Sequence, residues 1–200
     1  LFILSGGAWT GGMQKLTWVV NHKLHHAKED TRDDPHSPYL FKKEGDWWGF
    51  WWSHLMWMLV NRPRLDALKK TDVSKLSFVR AERYLFFPCL ILGFAVPAVL
   101  LGWEGLWISF LRMFYVLHIT FSINSVGHFW GTRVGVKSKS RNGTWIGALF
   151  TIIGERYHAW HHADQQSAFL GWRWFDVDAG KWLLILLEKA VIKIFLKTRQ

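Results

Sequence analysis

Long apolar runs alternate along the chain with short polar, basic or histidine-rich intervals. Residues 1 to 20 are apolar and carry Gly6, Gly7, Gly11 and Gly12, which reads as the end of a helix that begins upstream. Residues 21 to 46 are polar and charged, and Pro35 and Pro38 mark a loop there. Asp46 to Val60 is crowded with Trp and too short to span a bilayer easily, so it predicts an interfacial helix. Residues 61 to 83 are strongly basic. From Tyr84 to Trp103 no residue is charged, matching the ~20 residues that cross a hydrocarbon core. Pro88 and Pro97 are compatible with that, because membrane helices tolerate proline. After Gly102-Trp103-Glu104-Gly105 a second apolar run reaches Ser125. Arg112 interrupts it and is expected to snorkel to the far interface. The two runs predict a transmembrane hairpin over about 84–126 with a very short turn. Beyond Thr144 come a short apolar stretch, a His-rich segment and an amphipathic helix near Lys181 to Lys197.

This pattern predicts an all-α fold: a membrane-embedded helical bundle with a transmembrane hairpin, interfacial helices and a cytoplasmic histidine-bearing cap. One domain is expected over 1–200, truncated at its N-terminus, since the chain opens without Met or a basic leader region. Basic residues flank the hairpin on both sides and are missing from its turn, which puts both flanks in the cytoplasm.

Composition sharpens the membrane reading. Half of the 200 residues are hydrophobic and 20% are charged, which excludes a disordered chain. The 15 Trp suit a surface that is apolar on one side and wet on the other. The lone Cys89 excludes a disulfide framework and a multi-cysteine zinc site. A net charge of +10 points to anionic partners, either lipid headgroups or an acidic ligand.

The chemistry lies in the histidines. His22-Lys23-Leu24-His25-His26 and His158-Ala159-Trp160-His161-His162 both read H-x-x-H-H. On a helix, positions i, i+3 and i+4 share a face, so each box aims three imidazoles at one point. An even number of crossings between the boxes returns the chain to the same side, where they can meet. Asn124 and His128 lie one helical turn apart at the cytoplasmic end of the second span and join the candidates. Imidazoles crowded together repel when protonated, and a metal resolves that. Seven are too many for one ion, so two are expected. Imidazole suits zinc, copper, iron and nickel, and cysteine-based sites are excluded. Only one Glu-x-x-His, Glu155 to His158, is present, so the soluble carboxylate di-iron pattern is incomplete. A His-rich di-iron site fits best, and iron brings the O₂ chemistry that zinc lacks. His36, His54 and His118 are expected to be non-ligands.

These motifs resemble the membrane fatty-acyl desaturases, specifically the acyl-CoA Δ9 (stearoyl-CoA-like) branch. The second box with Asp34-Pro35-His36 downstream, Asn124-Ser125-Val126-Gly127-His128, and Gly154-Glu155-Arg156-Tyr157 leading into the third box carry the likeness. The resemblance implies that His22, His25, His26, His128, His158, His161 and His162 ligate two iron ions (Fe2+/Fe3+), with Asn124 reaching a metal through water. It implies that Trp18 lines an acyl tunnel. It implies a double bond introduced into a long saturated acyl thioester such as acyl-CoA, using O₂ and electrons from a separate redox protein. The family's first box, H-x-x-x-x-H, would lie upstream, because no His precedes His22. Ala159 stands where the third box commonly has Asn. The basic loops from Arg62 to Arg83 and Arg133 to Arg141 would meet either CoA phosphates or anionic lipid, and no nucleic acid is expected. The rival functions are a di-iron fatty acid or alkane hydroxylase and a non-catalytic metal-binding membrane protein.

Overall fold

The computed structural model describes residues 15–42, 45–60, 77–133, 140–141 and 155–197. The apolar run before residue 15, most of the two basic stretches and the apolar stretch after Thr144 lie outside the described residues. Among the described residues the chain is all-α, with no extended strand. Its contacts sort it into two compact units, Leu1–Asn124 and Ser125–Gln200.

In the first unit, α1 (Lys15–Lys28) carries the His22–His26 box on its C-terminal half. Asp30 ends it by turning left-handed at φ 56, a conformation that Asp tolerates better than most residues. Thr31 then satisfies the Lys28 carbonyl twice, from its backbone N–H at 3.0 Å and its hydroxyl at 2.6 Å. The chain re-enters a helix at Asp46, whose side chain accepts from the Gly49 N–H at 2.7 Å. Here α2 (Trp47–Trp51) passes through a π-helical turn (Trp52–Met56) into α3 (Trp57–Val60). Gly49 is required where α2 meets the loop, since a Cβ would fall 1.9 Å from the Pro38 carbonyl oxygen. Phe50, Ser53, His54 and Trp57 are buried, while Trp47, Trp48, Trp51 and Leu59 point outward. The Trp-rich segment is therefore amphipathic, with a π turn inserted at its centre.

The apolar hairpin is α4 (Ser77–Phe129), broken at Gly102, where φ is 62 and ψ is −134. Glycine meets that conformation without strain. The halves fold back on each other: the Phe94 and Phe110 rings lie 5.0 Å apart. A Cβ at Gly105 would fall 1.9 Å from the Pro97 carbonyl oxygen, so small residues let the backbones touch. Pro97 has no N–H for the Gly93 carbonyl one turn earlier. That carbonyl instead accepts from Arg112 Nη2 at 2.7 Å and Ser109 Oγ at 3.2 Å. Arg112 thus turns inward onto a freed backbone acceptor. This corrects the snorkelling expected from sequence, which took no account of the acceptor that Pro97 releases.

Tyr84–Phe129 is long and apolar enough to cross a membrane, and only 6% of its most apolar stretch is buried. Ile91, Val99, Leu100, Leu111 and Phe114 face outward, while Ser109 is fully buried. A soluble core helix would show the reverse, so this exterior is that of a membrane-associated chain.

The second unit holds α5 (His158–Ala163), entered through a 3-10 turn (Glu155–Tyr157), and α6 (Ala179–Lys197), close to the amphipathic helix expected there. Asp178 caps α6 by accepting from the Lys181 N–H at 2.9 Å, and its other oxygen accepts from the N–H groups of Leu170 and Gly171.

Candidate metal centre

In the first unit, His22 and His26 are one turn apart on α1, and their Nε2 atoms lie 3.0 Å apart. Trp18, one turn before, stacks on His22 at 4.5 Å between centroids. His25 is fully buried, and its Nδ1 lies 2.8 Å from Asp34 Oδ2. A carboxylate accepts, so Nδ1–H is the donor and the His25 lone pair is on Nε2. Asp34 is itself held from both sides. Oδ2 also accepts from the Asp30 N–H at 2.9 Å, and Oδ1 accepts from the His36 N–H at 3.0 Å. The His36 ring packs 4.4 Å from that of His25 and 5.1 Å from Trp57, so the Trp-rich segment buttresses this corner.

In the second unit, His128 ends α4, and His158, His161 and His162 line α5. His158 Nε2 faces two others, His128 Nε2 at 2.9 Å and His162 Nε2 at 3.1 Å. All three rings are buried. Gly127 makes room for them, because a Cβ there would lie 3.0 Å from His158 Cδ2. A platform of rings fixes α5 from behind: Tyr157 stacks on Trp160 at 5.0 Å, and Trp160 on Trp172 at 5.3 Å. The Tyr157 hydroxyl is kept neutral by burial, then by the charge of Asp176, to which it also hydrogen-bonds. His161 is pushed down to about 4 by burial and by neighbouring His162, which keeps its imidazole neutral and able to ligate.

These donor sets fit a metal. One neutral Nε2 offers either a single proton or a single lone pair, so His158 cannot make two ordinary hydrogen bonds to two other Nε2 atoms. Protonating the trio would bury like charges in contact. In octahedral coordination with metal–nitrogen bonds of about 2.1 Å, adjacent ligand atoms lie about 3.0 Å apart. The separations of 2.9, 3.1 and 3.0 Å match that edge.

Of the residues singled out from sequence, each His box is thus gathered within its own unit, and His128 joins the His158–His162 box. Asn124 is half-buried on α4 and belongs to none of these described groups. His54 and His118 meet each other instead, Nε2 to Nδ1 at 2.8 Å, and among the described residues they enter no group of three metal-binding side chains. The grip of Asp34 on His25 and the room left by Gly127 were not read from sequence. The only available signal was Asp34-Pro35-His36 in a loop just beyond the box.

Comparison with known proteins gives the family. The family model described as "Fatty acid desaturase" matches residues 1–182. An sn-1 stearoyl-lipid 9-desaturase of Synechocystis is 36% identical, over 92% of this chain and 56% of the relative. Another of that name from Anabaena variabilis is 32% identical, over 86% of this chain and 61% of the relative. Acyl-CoA desaturase 1 of Saccharomyces cerevisiae is 29% identical, over 84% of this chain and 33% of the relative. The chain therefore spans about three fifths of the length of the cyanobacterial relatives.

Proposed function

The chain belongs to the fatty acid desaturase family, and we propose that it forms the iron-binding part of an enzyme that introduces a double bond, at position 9, into a long saturated acyl chain. The reaction consumes O₂, two electrons and two protons, and releases two waters for the two hydrogens taken from adjacent methylenes. His22, His25, His26, His128, His158, His161 and His162 hold two iron ions, with Asn124 reaching a metal through water. When bound, the irons supply the oxidising power needed to break an unactivated C–H bond.

The chain's own residues do the rest. The buried rings keep bulk water from the donor atoms. Trp18, stacked on His22, lines the acyl channel. The aliphatic chain offers no polar handle, so the position attacked is set by channel length and shape. The hairpin crosses the membrane, both flanks and both boxes face the cytoplasm, and a separate redox protein delivers electrons there. The acyl carrier is a glycerolipid or a thioester such as CoA. The cyanobacterial relatives are named for lipid-linked stearoyl chains, and the yeast relative for acyl-CoA.

The observation that carries this reading is the convergence of three buried imidazoles, His128, His158 and His162. The test is to express the protein that carries this chain with a redox donor, supply labelled stearoyl-lipid and stearoyl-CoA, and identify products by mass spectrometry. A 9-monoene from either carrier supports it. A hydroxylated product or no O₂-dependent product contradicts it.

A further inference from the structure

The loop after the His22–His26 box is built around one carboxylate. Pro35 steers the preceding Asp34 away from helical backbone, and Asp30 at φ 56 turns the chain back toward α1. Asp34 is 2% exposed and His25 1%. Three donors converge on the carboxylate: His25 Nδ1–H and the Asp30 N–H on Oδ2, and the His36 N–H on Oδ1. The nearby Asp33 carboxylate has no such environment. It is exposed, 4.0 Å from Lys28 Nζ.

We propose that Asp34 is a positioning residue for His25: it fixes the Nδ1–H tautomer and the ring orientation, and so presents Nε2 as a preformed metal-binding lone pair. The inference rests on the metal reading of the His boxes. A carboxylate behind a ligating imidazole raises the basicity of the other ring nitrogen and removes the freedom of the ring to turn. Asp34 acts here through His25: it meets the ring at Nδ1, the nitrogen away from the lone pair, and its oxygens already accept three N–H donors. Asn at this position would keep the shape, but it has one acceptor oxygen where the loop needs two. Glu would keep the charge and move it by one methylene.

The experiment uses the full protein in lipid nanodiscs. Anaerobic Fe2+ titration with metal counting compares wild type, Asp34→Asn, Asp34→Glu and the control Asp33→Asn. Asp34→Asn is expected to weaken iron binding about 10- to 100-fold, Asp34→Glu to restore part of it, and Asp33→Asn to match wild type. Folded Asp34→Asn that binds iron as wild type does overturns the positioning role and leaves the metal reading intact. Wild type that binds no iron overturns the metal reading itself, and loss of a whole iron equivalent with Asp34→Asn that Asp34→Glu restores in full would make Asp34 a ligand, against the inference. Should Asp34→Asn fail to fold, ¹⁵N NMR of metal-free wild type decides: His25 protonated on Nδ1 supports the role, and protonation on Nε2 overturns it.

Discussion

Arg112 Nη2 donates to the Gly93 carbonyl oxygen at 2.7 Å, across the hairpin, at the acceptor that Pro97 leaves without its helical donor. A cation within an apolar hairpin is thereby matched to a backbone vacancy made by a proline. Arg112→Met should destabilise the folded protein by about 1.5–3 kcal/mol, the worth of a hydrogen bond to a charged group, while Ser109 Oγ stays on the carbonyl. In a Pro97→Ala background the carbonyl regains an N–H, and the same substitution should cost less. Thermal unfolding of the four variants in detergent measures the coupling, and equal losses in both backgrounds would contradict it.

His54 makes the fold acid-sensitive. Burial, and secondarily the charge of His118, lowers its pKa from 6.5 to about 4. Between those values the unfolded chain takes up the proton and the folded chain does not, so stability falls as pH drops from 6.5 toward 4 and levels off below. Melting temperature against pH should fall less steeply over that window in His54→Gln than in wild type. Parallel curves would remove His54 from the account.

Gly127 tests how closely the second trio is fitted. A Cβ there already lies 3.0 Å from His158 Cδ2, and the added methyls of Val would push the ring. Gly127→Val should raise the iron dissociation constant about tenfold or more, by analogy with loss of a supporting contact at a metal ligand. Titration as for wild type gives the answer, and unchanged affinity in folded protein would show that the ring has room to spare.

The turn and the flanks of the hairpin should lie on opposite sides of the membrane. In a Cys89→Ser background, a cysteine at Glu104 should react with impermeant reagent from outside and one at Lys137 only from inside. Labelling of both from one side would end the hairpin topology.

The parts of the site legible in sequence were those written at helical spacing. His22, His25 and His26, and likewise His158, His161 and His162, fall on one helical face by arithmetic alone. The hairpin was legible because Tyr84 to Trp103 lacks any charge, and its turn because Gly102 and Gly105 punctuate it. What escaped depends on how loops and neighbouring helices meet. Asp34 reaches His25 only because Asp30 reverses the chain after α1. His54 and His118 are 64 residues apart, and no periodicity within either segment says that they pair. Arg112 read as a boundary residue because a charge in an apolar run usually is one, and the competing acceptor at Gly93 exists only through Pro97.

The central claim is that these imidazoles hold iron, and counting iron per chain in purified protein tests it most directly. Wild type, His22→Gln and His158→Gln are loaded anaerobically with Fe2+, washed and measured by mass spectrometry, with folding checked by size exclusion. The account predicts two equivalents in wild type and the loss of at least one in each variant. Two equivalents retained in both folded variants, or none bound by wild type, would contradict it.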